Sequence, residues 1–218
     1  MERDDDAMSS LPVGALVAGS YLLGSVPFAL LLGLSQGCDI RRVGSGNIGA
    51  TNLGRALGRS WGIGAFLLDY AKGLLPVLVA VNGDWDDASL VALACAAAAI
   101  VGHVFPIYLG FRGGKGVAVT FGTMTGLAFL ASLAAGIIWL AVYKFTKWVS
   151  VASLAAGVAF PLGVWLSHAG TPFESYLALE VFAILVAVLI VVRHRSNIIR
   201  LLKGQEFPAT EAASEEKT

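Results

Sequence analysis

Charged side chains are scarce in this chain: Asp, Glu, Lys and Arg make up 14% of its 218 residues, whereas 56% are hydrophobic. Because soluble domains carry about 25% charged residues, the shortage excludes an ordinary water-soluble fold, and the mean hydropathy of +0.75 agrees. The apolar runs have the ~20-residue length of membrane helices rather than the ~10-residue alternation of barrel strands. The sequence therefore predicts an all-α, polytopic integral membrane protein.

Cysteine is almost absent as well. Cys38 and Cys95 are the two cysteines, and their separate apolar surroundings predict neither a disulfide nor a metal site. The first ten residues are acidic, which argues against a cleaved signal peptide. We expect no metal ion and no cofactor.

Six apolar segments, separated by short polar breaks, are long enough to be helices. They cover about residues 11–34, 61–81, 88–106, 117–143, 148–167 and 173–192. Together they predict a single transmembrane domain over residues 1–206, followed by a polar, disordered cytoplasmic tail at 207–218.

The breaks differ in the sign of their charge. The N-terminus, the break at 82–87 and the break with Glu174 are acidic, whereas the other breaks are basic. Because excess Lys and Arg mark the cytoplasmic side, we expect the N-terminus outside and the C-terminus inside.

Two basic breaks flank the segment at 117–143, which must then enter and leave on the same side. At 1.5 Å per residue it reaches only about 40 Å, too little for two full crossings of a ~30 Å core. We therefore predict a short, re-entrant-like hairpin, broken near the GTMTG sequence at 122–126, and seven helices in all. One long tilted span is the alternative.

The first of three polar stretches, DIRRVGSGNIGATNLGR at 39–55, carries closely spaced hydrogen-bond donors. Glycines such as Gly46 let backbone amides converge, and side-chain donors suit an oxyanion. A flexible connector is the alternative interpretation. The candidate side chains are Ser45, Asn47, Thr51, Asn52 and Arg55.

The second stretch, GHVFPIYLGFRGGKG at 102–116, places Lys115 in a glycine-rich loop before a helix N-terminus, an arrangement suited to phosphate. It is not a nucleotide-binding P-loop, because Leu109 replaces the first glycine and Gly116 the hydroxyl residue. Alternatively, Arg112 and Lys115 only anchor the chain in the headgroup region.

In the third stretch, RHRSNIIRLLKGQE at 193–206, His194 and Asn197 are three residues apart and share a helix face. Binding of acidic headgroups explains the arginines but not this pair. Elsewhere, Asp69 and Lys72 predict an ion pair inside the bundle, and Ser150 and Ser153 begin a span, where they could cap its helix.

In this order the three stretches resemble the bacterial membrane-bound glycerol-3-phosphate acyltransferases that use acyl phosphate. The resemblance runs from YLLGSVPFA through FLLDYAKG to the last stretch. It implies a seven-helix membrane fold with cytoplasmic motifs, and catalytic roles for Ser45, Arg55, Lys115, His194 and Asn197. It also implies that the glycine loop with Lys115 holds the phosphate of glycerol 3-phosphate. It further implies substrate binding by Gly46, Asn47, Thr51, Asn52, His103, Arg112, Gly113, Gly114 and Gly116, and by Ser150 or Ser153.

The implied reaction is attack of the sn-1 hydroxyl of glycerol 3-phosphate on acyl phosphate, giving lysophosphatidic acid and phosphate, the first step of bacterial phospholipid synthesis. The His-x-x-x-x-Asp motif of another acyltransferase class is absent, since no histidine has Asp five residues on. We favour the donor's own phosphate as base over His194. The expected partners are the two substrates, the lipid bilayer of the bacterial inner membrane and an upstream acyl-phosphate synthase, without nucleic acid.

Two other functions compete. A transporter of a phosphorylated metabolite is expected to show paired repeats and a midplane site, and we find no repeat. A lipid-phosphate hydrolase or phosphotransferase mostly needs clustered carboxylates for metal, whereas the inner breaks offer only Asp39 and Glu206.

Overall fold

The computed structural model describes residues 12–206, so the acidic N-terminus and the predicted tail at 207–218 lie outside the described residues. Within that range every regular element is a helix. The α-helices are α1 (Val13–Ser25), α2 (Phe28–Ser35), α3 (Ala50–Leu57), α4 (Arg59–Val81), α5 (Ala88–Val104), α6 (Val117–Leu127), α7 (Phe129–Thr146), α8 (Val149–Ser167), α9 (Leu177–Arg193) and α10 (Arg195–Leu202). Short 3-10 helices cover Ile107–Leu109 and Phe173–Ser175.

Five spans in the described part of the chain are long and apolar enough to cross a membrane, counting α1 and α2 together. A sixth is added if α9 and α10, bent by 54°, form one span. The shorter α6 is also apolar. The prediction of an all-α, multi-pass membrane protein is confirmed.

The first predicted segment is not one helix. It breaks between α1 and α2 at Val26 and Pro27, where proline has no N–H to continue the helical ladder. The ammonium of Lys72 donates to the Val26 carbonyl at 2.7 Å, which satisfies a backbone group freed by the break.

The segment at 117–143 does turn back on itself. The hydroxyls of Thr125 and Ser132 lie 2.9 Å apart, and Ser132 also reaches the Phe121 carbonyl at 3.4 Å. In one straight helix, Phe121 and Ser132 would be about 16 Å apart. The chain therefore reverses between α6 and α7, at Ala128, whose φ is −149° and ψ is 76°.

The break predicted near Gly122–Gly126 lies slightly later, at Ala128, because residues 122–126 are helical. Their threonine hydroxyls donate to carbonyls of their own helix, Thr123 to Thr120 and Thr125 to Phe121. The glycines serve close packing instead: a Cβ on Gly122 would overlap the backbone of α4. Small residues here bring two helices together.

The predicted pair of charges inside the bundle is confirmed. Lys72 Nζ lies 2.8 Å from Asp69 Oδ1, and both side chains are almost fully buried in α4. One residue of the second polar stretch lies beside this pair, since His103 Nδ1 is 3.8 Å from Asp69 Oδ1.

Candidate active site

All three polar stretches contribute to one cavity of about 1190 Å³. Its polar side chains are Ser45, Asn47, Thr51, Asn52, Arg55, Arg59, Asp69, Tyr70, His103, Lys115, Thr125, Ser132, Trp139, Tyr143, Ser150, Ser153, His194, Asn197 and Glu206. Its apolar wall comes mainly from α4 and α7, with Ile63, Phe66, Phe129, Leu133, Ile137 and Leu140. The cavity thus joins a hydrogen-bonding end to an apolar end.

A chain of hydrogen bonds links the second stretch to the third. Lys115 Nζ donates to Asn197 Oδ1 at 2.5 Å, and Asn197 Nδ2 donates to Glu206 Oε1 at 2.6 Å. The other oxygen of Glu206 accepts from Arg200 Nε at 2.9 Å. The carboxylate therefore orients the amide so that its oxygen faces the lysine.

Lys115 is less basic than an ordinary lysine. Burial lowers its pKa from 10.5 to about 8, and the nearby Glu206 carboxylate opposes that shift, whereas surrounding arginines add to it. At neutral pH the ammonium is charged, so it can meet a phosphate at close range.

The first stretch is organised by Asn52. Its Nδ2 donates to the carbonyls of Ile40 and Val43, at 2.8 and 3.0 Å, and its Oδ1 accepts from the Ser45 amide at 3.1 Å. Because its amide is committed to the loop backbone, Asn52 holds Ser45 at the cavity.

Two other residues of the first stretch reach the cavity from a helix. Thr51 and Arg55 are one turn apart on α3, so both side chains point from the same face. Asn47 lines the same region, and its backbone N–H donates to the Ser45 hydroxyl oxygen at 3.4 Å.

The second stretch brings Lys115 and Gly116 to the cavity, together with the first turn of α6. The structure does not bring Arg112, Gly113 or Gly114 there: Arg112 is exposed, and neither glycine lines the cavity. The amides of Gly113 and Gly114 already donate to the carbonyls of Val104 and His103, each at 3.1 Å. These two amides are thus part of the fold's own hydrogen bonding.

His103 lies deeper in the cavity, at the end of α5. Its Nδ1 is 3.8 Å from Asp69 Oδ1, and its ring packs directly against Gly114. The imidazole therefore separates the charged pair of α4 from the glycine loop.

His194, at the junction of α9 and α10, is 3% exposed and has one ring nitrogen committed. Its Nδ1 lies 2.8 Å from the Ile190 carbonyl, which can only accept, so Nδ1 carries the proton. Nε2 is then the nitrogen without a hydrogen when the ring is neutral, and the residue lines the cavity.

The two candidate serines of α8 differ in their hydrogen bonds. Ser153 donates to the Val149 carbonyl at 2.8 Å and accepts from Trp139 Nε1 at 3.2 Å. The buried hydroxyl of Ser150 has no hydrogen-bond partner in the described residues, although it lines the cavity. Neither caps α8, whose N-cap is Trp148.

Sequence reasoning missed several residues that line the cavity, and three of them have a clear contact there. Glu206 orients Asn197, Trp139 binds Ser153, and Asp69 reaches the cavity from the ion pair of α4. The spacing of nine residues between Asn197 and Glu206 could have predicted their contact. A chain that ends a short helix can turn back, so that the carboxylate reaches the amide. Nothing in the sequence singled out Trp139.

Comparison with known proteins gives a consistent result. The sequence model of the family described as Glycerol-3-phosphate acyltransferase matches residues 14–204. A glycerol-3-phosphate acyltransferase of Anaeromyxobacter sp. (strain Fw109-5) is 45% identical over 203 residues, which are 91% of this chain and 98% of the relative. That of Aquifex aeolicus (strain VF5) is 40% identical over 191 residues, 88% of this chain and 96% of the relative.

Solved structures agree. The crystal structure of PlsY (YgiH), an integral membrane glycerol 3-phosphate acyltransferase, in its glycerol 3-phosphate form has a TM-score of 0.81 with this chain. It is 38% identical, and the match covers 90% of this chain and 94% of that one. The lysophosphatidic acid form gives a TM-score of 0.79 at 37% identity, with the same coverage.

Proposed function

The chain belongs to the glycerol-3-phosphate acyltransferase family, and we propose that its donor is acyl phosphate and its acceptor the sn-1 hydroxyl of glycerol 3-phosphate. The hydroxyl oxygen attacks the acyl carbonyl, the bond from that carbon to the phosphate oxygen breaks, and inorganic phosphate leaves. The remaining product is lysophosphatidic acid. The relatives' names and the two PlsY structures support the acceptor and product.

One observation carries the proposal: a single cavity has a cationic, hydrogen-bonding end and an apolar wall. Lys115 and Arg55 line the first, and both suit phosphate oxygens. Leu133 and Ile137 line the second and are also exposed on the helix surface, at 50% and 59%. A donor with a phosphate head and a fatty tail matches both ends.

The protein's contribution to the chemistry is position and charge. Two phosphates in one cavity repel each other, and the cations of the first and second stretches offset that repulsion. Acyl phosphate is already activated, so the leaving phosphate can accept the hydroxyl proton within the same complex. His194 then orients or polarises a substrate through Nε2 instead of carrying the proton.

The membrane arrangement is part of the proposal. The seven helices are the six spans described above, with α1 and α2 counted as one and α9 included, together with the shorter α6. With α6 and α7 as the re-entrant-like hairpin, they put the N-terminus outside and the C-terminus in the cytoplasm. The reversal at Ala128 supports this path, because it allows the basic breaks before α6 and after α7 to share one side. The active site then faces the cytoplasm of a bacterial inner membrane, where a synthase can supply acyl phosphate.

A donor-competition assay tests the function. Purified protein in detergent is incubated with labelled glycerol 3-phosphate and, in turn, acyl phosphate, acyl-CoA or acylated acyl carrier protein. Labelled lysophosphatidic acid is expected from acyl phosphate alone and without added metal. Product from acyl-CoA alone would overturn the donor, and no product from any donor would overturn the activity.

A further inference from the structure

Arg193, the last residue of α9, forms hydrogen bonds to the glycine loop of the second stretch. Its Nη2 donates to the carbonyls of Gly113 and Gly114, both at 3.0 Å, and its Nε donates to Gly114 at 3.2 Å. The guanidinium carbon also lies 5.8 Å from the centre of the Phe105 ring, within cation–π range. The planar head is thus held by an aromatic ring and by two backbone carbonyls.

The opposite edge of the same dipeptide is held by α5. The Gly113 amide donates to Val104 and the Gly114 amide to His103, so all four backbone polar groups of the dipeptide are paired. A Cβ on Gly114 would overlap the imidazole of His103. The glycines are needed here because the strap formed by Gly113 and Gly114 has neighbours on both sides.

Arg193 differs from its neighbours in where its charge points. His194 and Lys115 line the cavity, and Arg193 does not. Its guanidinium instead donates to the backbone carbonyls of the strap.

We propose that Arg193 is a positioning residue, which fixes the strap Gly113–Gly114 so that Lys115 enters the cavity and meets Asn197. This inference rests on the proposed function for its kinetic consequence. Because Arg193 ends α9 and His194 begins the third stretch, one side chain ties the second and third stretches into a fixed arrangement. A lysine cannot fully replace it, since one ammonium nitrogen cannot occupy the positions of both Nε and Nη2, and it lacks the flat face that lies over Phe105.

The test compares Arg193→Lys and Arg193→Gln with the matched variants Arg195→Lys and Arg195→Gln. Arg195 carries the same charge two residues on, is exposed and does not line the cavity. Both Arg193 variants should raise the KM for glycerol 3-phosphate by about tenfold or more, the equivalent of one charge-assisted hydrogen bond. The KM for acyl phosphate should stay within about twofold, and both Arg195 variants should resemble wild type.

A fully active Arg193→Lys beside an impaired Arg193→Gln would show that charge alone matters, and would overturn the proposal. Equal changes in both KM values would do the same. A loss confined to kcat, with lower thermal stability, would mean that Arg193 only supports the fold.

A second measurement does not depend on activity. Purified protein is treated briefly with a small amine-reactive reagent, and modification of Lys115 is quantified by peptide mass spectrometry. At pH 7, where a pKa of about 8 leaves Lys115 mainly charged, the wild-type residue should react slowly because Asn197 holds its ammonium. Both Arg193 variants should react several-fold faster at the same pH, unlike the Arg195 variants. Unchanged labelling would refute the positioning role. Faster labelling in protein that transfers no acyl group would refute only the proposed function.

Discussion

Lys115 and Asn197 are separated by 82 residues and meet in one hydrogen bond of 2.5 Å from ammonium to amide oxygen. If Asn197 turned its amide round, its Nδ2 would face the lysine ammonium and its Oδ1 would face the Glu206 carboxylate. The bond from Nδ2 to Glu206 therefore keeps Oδ1 towards the lysine. The lysine is therefore held in one place before any substrate arrives, which is the preorganisation that electrostatic catalysis requires.

Replacing Lys115 should affect glycerol 3-phosphate above all. Lys115→Ala removes a charge-assisted contact worth about 1.5 to 3 kcal/mol, so its KM should rise at least tenfold. Lys115→Arg should recover only part of this, because a planar guanidinium does not fill the place of a compact ammonium. Kinetics on protein matched for membrane level measure both. Wild-type behaviour of Lys115→Arg would indicate a membrane anchor.

The same lysine predicts an alkaline limit. Its pKa is lowered from 10.5 to about 8, so the ammonium is present below about pH 8 and is lost as the pH rises through that value. The kcat/KM for glycerol 3-phosphate, which reports the free enzyme, should fall above pH 8. Phosphate itself is already a dianion there, since its second pKa is about 6. In Lys115→Arg the alkaline fall should disappear, although the plateau is lower.

His194 should matter less than a general base. His194→Ala should reduce kcat by less than about 100-fold, the lower end of what general base catalysis contributes, because the donor's phosphate takes the proton. Steady-state rates across the pH range provide the measurement. A loss near 10,000-fold with unchanged KM values, together with disappearance of a histidine-like pKa, would identify His194 as the base.

The two serines of α8 form a matched pair. Ser150→Ala removes a buried hydroxyl without a partner in the described residues, so stability should not fall, whereas the KM of one substrate should rise by about two- to tenfold. Ser153→Ala loses its bonds to Val149 and Trp139 and should cost about 1 kcal/mol of stability. Thermal unfolding in detergent and steady-state kinetics separate the two effects. The reverse assignment would show that Ser153 contacts substrate.

The hairpin can be tested by labelling. In a background without Cys38 and Cys95, a cysteine in place of Trp148 should resist a membrane-impermeant thiol reagent in intact cells and react after permeabilisation. A cysteine in place of Asp86, in the acidic break before α5, should react in intact cells. Equal labelling at both positions in intact cells would exclude the proposed arrangement of seven helices.

That the chain is built from long apolar helices could be predicted from the sequence, because hydrocarbon thickness dictates their length. The exact turn of the hairpin could not. Glycine and threonine at 122–126 suggest a break, yet the same residues pack α6 closely onto α4 and bond within their own helix. Which use prevails depends on a neighbouring helix that is far away in sequence.

The residues that face the cavity could be predicted in type but not always in role. Donor-rich loops identified Ser45, Lys115 and His194, all of which line it. Asn52 has the same chemistry, but its amide serves the loop backbone, and Gly113 and Gly114 are held from both edges. Composition cannot distinguish a donor that faces a ligand from one that is already satisfied within the fold.

The exposed apolar wall has a kinetic consequence. Leu133, Ile137 and Leu140 line the cavity and are also exposed on the side of α7. If a fatty tail enters between α4 and α7 from the bilayer, the effective concentration of the donor is its amount per unit of membrane area and not its amount per litre. Its saturation should then follow its mole fraction among the surrounding lipids or detergent, so that adding inert amphiphile at a fixed amount of donor slows the reaction by surface dilution. Glycerol 3-phosphate, which arrives from water, should be indifferent to that dilution.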